Sequence, residues 1–156
     1  MIYLGIDPGL SGAMAFFDPE KGHLSIIDMP TVEVERGGKK KRELSPQMMA
    51  SMIRLAEGDV TAVVERVGAM PGQGVSSVFS FGRSLGMVEG VLAGLNIRTT
   101  LIPPQVWQKA AGVRGGKEAS RQRAAELFPA YANLFARKKD DGRADAACMA
   151  WYAATK

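Results

Sequence analysis

GIDPGLSGA, residues 5–13, decides the fold. It sets one carboxylate, Asp7, between the apolar run MIYLGI and a second apolar run, AMAFF (13–17), with Pro8, Gly9, Ser11 and Gly12 as turn chemistry. Short apolar runs separated by such residues read as neighbouring strands of a β-hairpin. The acid at the end of the first strand therefore faces the tightest turn of the sheet. A second acid breaks an apolar run in the same way: DVTAVVERV (59–67) is a strand suited to the centre of a covered sheet, interrupted by Glu65.

Working outward, HLSIIDMP (23–30) is a third strand, and TVEVERGGKKKRELS (31–45) alternates around a Gly-Gly turn before four consecutive cations. It reads as a continuation of the antiparallel meander with a basic loop attached. SPQMMASMIRLAEG (45–58) has Ser45 as N-cap, Pro46 at the first helical position and Gly58 past the end, the asymmetry of a helix. VGAMPGQG is a loop, and residues 75–96 form a long helix whose Gly82, Gly86 and Gly90 suggest close packing against a neighbour. IRTTLIPP (97–104) is the fifth strand of the sheet, PQVWQKAAG a short helix and VRGGK a loop, and KEASRQRAAELFP and DGRADAACMAWYAATK are the last helices. Three antiparallel strands followed by alternating helix and strand predict an α/β chain. Its five-stranded mixed sheet is flanked by helices, the pattern of an RNase H-like fold over one domain, 1–156.

The composition narrows the function classes. With 156 residues and 46% apolar content, the chain can bury a core, and its net charge of +4 permits a phosphate-rich partner. The single cysteine, Cys148, excludes an intramolecular disulfide framework and fits a reduced, cytoplasmic protein, or a host cytoplasm for a phage product. Neither a signal-peptide pattern nor a run near the ~18 apolar residues needed to cross a bilayer is present, so no membrane partner is expected.

Four of the 16 acids stand in apolar or glycine-rich company: Asp7, Glu65, Asp141 and Asp145. A carboxylate there carries a desolvation cost and requires a cation or a donor. Asp141 and Asp145, four apart, share one face of a helix. Oxygen donors without a Cys/His cluster favour Mg²⁺ or Mn²⁺ over Zn²⁺, and two such ions ~3.5–4 Å apart suit phosphodiester hydrolysis. Each acid also has a structural use: Asp7 can cap its turn, and Asp141 can serve the helix N-terminus. Glu65, inside a central strand, has few such uses.

The ordered set GIDPGLSGA, VVERV, MPGQGVSSVFSFGRSLG, IPPQVWQKAAGVRGGKEASRQRAAELFP and DGRADAACMA resembles the RuvC-type Holliday-junction resolvases, in particular their phage-type and organelle-type branch. The resemblance implies an RNase H-like fold, a homodimer and Mg²⁺-dependent cleavage of opposed strands of a four-way DNA junction, with two ions per site, Mn²⁺ as an alternative metal and no small-molecule cofactor. It maps the family's first, second and fourth acids onto Asp7, Glu65 and Asp145. Where bacterial members place the third, three residues before the last, this chain has Gly142; Asp141 is the substitute and Asp140 the weaker candidate. A junction-binding module without activity and an RNase H-type nuclease on RNA:DNA hybrids are the alternatives.

A nuclease needs cations beside its acids, because the acids alone repel DNA. The candidates are Lys39, Lys40, Lys41 and Arg42 in the basic segment, Arg83 on the long helix, and Arg114, Lys117 and Arg121 around VRGGKEASRQR. By resemblance, Lys117 would contact the scissile phosphate. A second family lysine falls on Trp107, which leaves nearby Lys109 as a weak substitute. Gln73, Phe79 or Phe81 could probe the junction centre, although the two phenylalanines are expected first as core. The long helix, with Met87 and Leu95, is the expected dimer surface, and His23 is given no catalytic role.

Overall fold

A computed structural model of the chain describes residues 1–116 and 118–156. The opening hairpin forms as β1 (Ile2–Ile6) and β2 (Ala13–Asp18), and β3 (His23–Asp28) extends it antiparallel. After α1 (Pro46–Arg54), β6 (Val60–Glu65) pairs parallel with β1 and β7 (Arg98–Ile102) pairs parallel with β6. The strand order is β3-β2-β1-β6-β7, the mixed five-stranded sheet expected for an RNase H-like fold. Strand β6 lies between two parallel neighbours under helices on both faces, which is why VTAVVE is nearly all apolar.

The basic segment departs from expectation. Lys39–Arg42 is part of a strand: β4 (Thr31–Arg36) and β5 (Lys39–Leu44) form a separate two-stranded hairpin outside the main sheet. Gly37 and Gly38, at φ of 58° and 72°, supply the two consecutive positive dihedrals of a tight two-residue hairpin turn. A backbone bond from Ser45 to the Pro30 carbonyl closes the base of the hairpin at 2.9 Å. Ser45 then caps α1, its hydroxyl accepting from the Met48 amide at 3.3 Å.

Two apolar layers cover the sheet. Helices α1 and α2 (Val75–Gly94) close one face around Leu4, Ile6, Met14, Met49, Val88 and Leu92. The other face holds α3 (Pro104–Ala111), α4 (Ala119–Leu127) and α5 (Asp141–Ala154), with short 3₁₀ turns at Pro129–Phe135 and Lys138–Asp140 between α4 and α5. Helix α5 is buried at Gly142, Ala144 and Ala146–Ala150, and the glycine and alanines among these let it lie directly on the strands. A Cβ on Gly5 of β1 would overlap the Ala146 carbonyl oxygen, so Gly5 sets the distance between helix and sheet.

The glycines of α2 meet no neighbour among the described residues of this chain. Gly82, Gly86 and Gly90 have nothing within 4 Å of where a Cβ would stand, so they face outward and are not packed within this chain. Phe79 and Phe81 are likewise 74% and 42% exposed and are not core residues. Among the described residues, no helix is long and apolar enough to cross a membrane.

Candidate active site

Pairing between β1 and β6 assembles the first half of the site. Ile6 stands opposite Val64, so the next residues, Asp7 and Glu65, emerge side by side at the carboxyl ends of two parallel strands. Helix α5 crosses this end and contributes Asp145 from its second turn. Its first turn meets the Asp7 loop: a Cβ on Gly142 would stand 2.6 Å from the Ser11 carbonyl oxygen and 3.1 Å from Asp7 Oδ2. The buried N-terminal turn of α5 thus faces the Asp7 carboxylate, a favourable orientation for an anion.

Each acid has its own environment. Burial pushes Asp7 above its ordinary pKa, against the opposing effect of the Gly9 amide, which donates to Oδ1 at 3.1 Å. Glu65 is raised first by burial and also by the charge of Asp7, while the Trp107 indole, donating from Nε1 to Oε1 at 3.0 Å, works the other way. Asp145 is raised to about 7: burial dominates, a hydrogen bond from Ser120 opposes it, and the charges of Asp7, Glu65 and Asp141 add to it. Among the described residues, none of these three acids has an ion-pair partner. Asp7, Asp141 and Asp145 line an open cleft of about 670 Å³ together with Lys41, Phe81 and serines of α2.

Asp140 and Asp141 separate clearly. Asp140 is 1% exposed and points into the fold, where Arg137 binds it from its amide at 2.8 Å and from Nη2 at 2.8 Å. Burial would raise its pKa, but these bonds hold it below the ordinary carboxylate value. Asp141 opens onto the cleft and accepts from Arg121 Nε at 3.0 Å. Gly142 cannot give way to a larger residue because the Ser11–Gly12 backbone fills the space.

The donor set suits a hard divalent cation: of three partly buried carboxylates, Asp7 raises the pKa of Glu65 and both raise that of Asp145, and among the described residues they have no cationic partner and offer only oxygen. They are neighbours without being a finished cage, since among the described residues no three His, Cys, Asp or Glu already stand at ligand spacing. Mutual repulsion of unpaired carboxylates is a sufficient reason for that separation.

The predicted cations divide into two groups. Lys41 lines the cleft, and Lys39, Lys109 and Arg114 are exposed. Lys40 pairs loosely with Glu33 at 3.4 Å, and Arg83 pairs with Glu43 at 3.0 Å. Arg42 and Arg121 are instead committed within the fold. Arg42 Nη2 donates to the Leu10 carbonyl at 3.0 Å and to Ser11 Oγ at 3.2 Å; Arg121, besides Asp141, binds Glu118 at 2.8 Å and the Ala136 carbonyl at 3.3 Å. Gln73 is exposed, but its side-chain oxygen accepts from the Met70 amide at 2.8 Å and shapes its own loop. Lys117 lies outside the described residues. Trp107 binds Glu65, and Ser120 acts to lower the pKa of Asp145; neither was among the predicted site residues. Trp107 carried a signal, a bulky residue where the resemblance expects a lysine, but Ser120 carried none.

No family model matches the chain. A curated relative, the chloroplastic Holliday junction resolvase MOC1 of Chlamydomonas reinhardtii, is 34% identical over an alignment covering 87% of this chain. The chain spans 18% of that protein's length. Among solved structures, Thermus thermophilus RuvC superposes with a TM-score of 0.56, and T. thermophilus RuvC in complex with a Holliday junction substrate with 0.58. Each is 16% identical and the superposition covers 99% of this chain and 96% of the other. The fold of RuvC is therefore shared over 99% of this chain, while the likeness in sequence to a Holliday junction resolvase rests on the curated relative.

Proposed function

We propose that this chain is a divalent-metal-dependent endonuclease that resolves four-way DNA junctions by paired nicks, acting as a homodimer. The observation that carries the reading is the convergence of Asp7, Glu65 and Asp145, partly buried and, among the described residues, without cationic partners, in a chain 34% identical over 87% of its length to a junction resolvase. Asp7, Glu65, Asp141 and Asp145 would hold Mg²⁺, with Mn²⁺ the other fitting ion; two bound ions supply an activated water and neutralise charge on the leaving oxygen. The chain's own part is to fix the partly buried carboxylates on two strand ends and one helix. Lys41 brings positive charge into the same cleft, and Lys39, Lys40, Arg83, Lys109 and Arg114 extend it along the surface where phosphates would lie. Lys117 keeps its expected role at the scissile phosphate. The exposed glycine face of α2 is the surface for the second copy. A DNA substrate requires a compartment that holds DNA, whether a cytoplasm or an organelle.

A junction-binding module without activity is the second reading, favoured by Arg121, which occupies Asp141. Incubation with labelled four-way, three-way, duplex and RNA:DNA hybrid substrates, with and without Mg²⁺, separates the readings. Symmetric nicks in the four-way junction alone are expected, lost on the order of 10³-fold in Asp7→Asn and Glu65→Gln with junction binding retained. Tight junction binding without nicks in Mg²⁺ or Mn²⁺ would establish the module, and cleavage confined to the hybrid an RNase H activity. Full cleavage by Glu65→Gln would sink the proposed site.

A further inference from the structure

The geometry points to Trp107 as the positioning residue of Glu65, its indole N–H holding one carboxylate oxygen so that the other is presented to a hard divalent cation. The inference rests on the reading of Glu65 as a metal ligand. Trp107 is fully buried, and its Nε1 donates to Glu65 Oε1 at 3.0 Å. Among the described residues this is the only hydrogen bond to the Glu65 side chain, so Oε2 has no partner.

The platform behind the indole is built for rigidity. Pairing of Glu65 with Ile102, and the bond from the Arg66 amide to the Ile102 carbonyl at 2.7 Å, tie together the ends of β6 and β7. Helix α3 starts two residues after Ile102 and carries Trp107 back over those ends. At its far end Gly112, at φ 76°, turns the chain out of the helix, and Arg123 Nε donates to the Ala111 carbonyl at 2.6 Å. A rotatable carboxylate is thereby fixed by a donor that has no freedom of its own. A lysine in place of Trp107 would bring a mobile charge; the indole brings a neutral, directional donor that leaves the site's negative charge in full for the cation.

Trp107→Phe removes the N–H and keeps most of the packing. The probe is Tb³⁺ and Mn²⁺ binding to the DNA-free protein, beside the Mg²⁺ dependence of junction cleavage. Expected for Trp107→Phe are Tb³⁺ and Mn²⁺ affinities weakened about 10-fold, equivalent to about 1.4 kcal/mol, and a Mg²⁺ half-saturation raised by a similar factor. At saturating Mg²⁺ the rate should recover to within about threefold and junction affinity should stay within about twofold, which a merely unfolded site would not do. A folded Trp107→Phe protein with unchanged metal affinity and Mg²⁺ dependence overturns the inference. Should the variant fail to fold, the ¹⁵N-indole signal of Trp107 in the wild type decides: it must shift on Mg²⁺ addition and in Glu65→Gln, and an unmoved signal overturns the inference. A wild type that binds metal through this pair yet cuts no junction would defeat the proposed activity and leave the role of Trp107 standing.

Discussion

Asp145 holds the greatest stress of any single residue in the site. An acid whose pKa rises from 3.8 to about 7 on folding costs nothing at pH values where both states are protonated. As pH rises through 4 towards 7, the unfolded chain releases its proton while the folded one retains it, so stability falls; the cost is complete above 7. Asp145→Asn should therefore stabilise the metal-free protein at pH 8 by about 1–3 kcal/mol, with no difference from wild type near pH 3. Thermal melts in EDTA at both pH values measure this, and equal melting temperatures at pH 8 would contradict it. Adding Mg²⁺ at pH 8 should raise the melting temperature of the wild type more than that of the variant.

At the scale of elements, the β4–β5 hairpin is the part that the sequence pattern left least defined. The main strands were legible because alternation and turn residues state them directly, and α1 because Ser45, Pro46 and Gly58 mark both ends. Lys39–Arg42 resembled a loop because consecutive cations bury nothing, yet pairing with Thr31–Arg36 makes them a strand. Asp7 and Glu65 were legible as acids placed against an apolar pattern. The roles of Arg42, Arg121 and Ser120 were not, since each depends on a contact between distant parts of the chain. The hairpin is fastened to the Asp7–Gly12 turn by Arg42, whose two bonds reach Leu10 and Ser11. At about 1 kcal/mol each, their loss in Arg42→Ala should speed amide exchange at Gly12 by up to about 30-fold. The melting temperature should fall by no more than about 3 °C. Hydrogen exchange resolved to residues checks this; unaltered protection at Gly12 would show that the turn stands without the hairpin.

For the whole molecule, the decisive surface is the outer side of α2. Gly82, Gly86 and Gly90 repeat every four residues with open space above them, a strip on which another helix could approach closely. Their spacing was legible in the sequence; the direction they face was not, because a repeat of small residues fits an internal contact equally well. Gly86→Arg should convert a species of twice the chain mass into one of the chain mass, read by analytical ultracentrifugation. In the same variant, paired nicks should give way to single, uncoordinated ones. A wild type of the chain mass would overturn the proposed dimer, and a variant still at twice that mass would overturn α2 as its contact.

The contact between Gly142 and the Ser11–Gly12 backbone also has an angular consequence. Successive residues of an α-helix are turned by about 100° about its axis. Moving the third carboxylate from three residues before Asp145 to four therefore swings it about 100° around α5, to the opposite side of the Asp145 direction. With Gly142 held small by the turn, the carboxylate at Asp141 points towards α4, where it accepts from Arg121. In this chain, how tightly a loop is wound against a helix sets the compass bearing of a carboxylate.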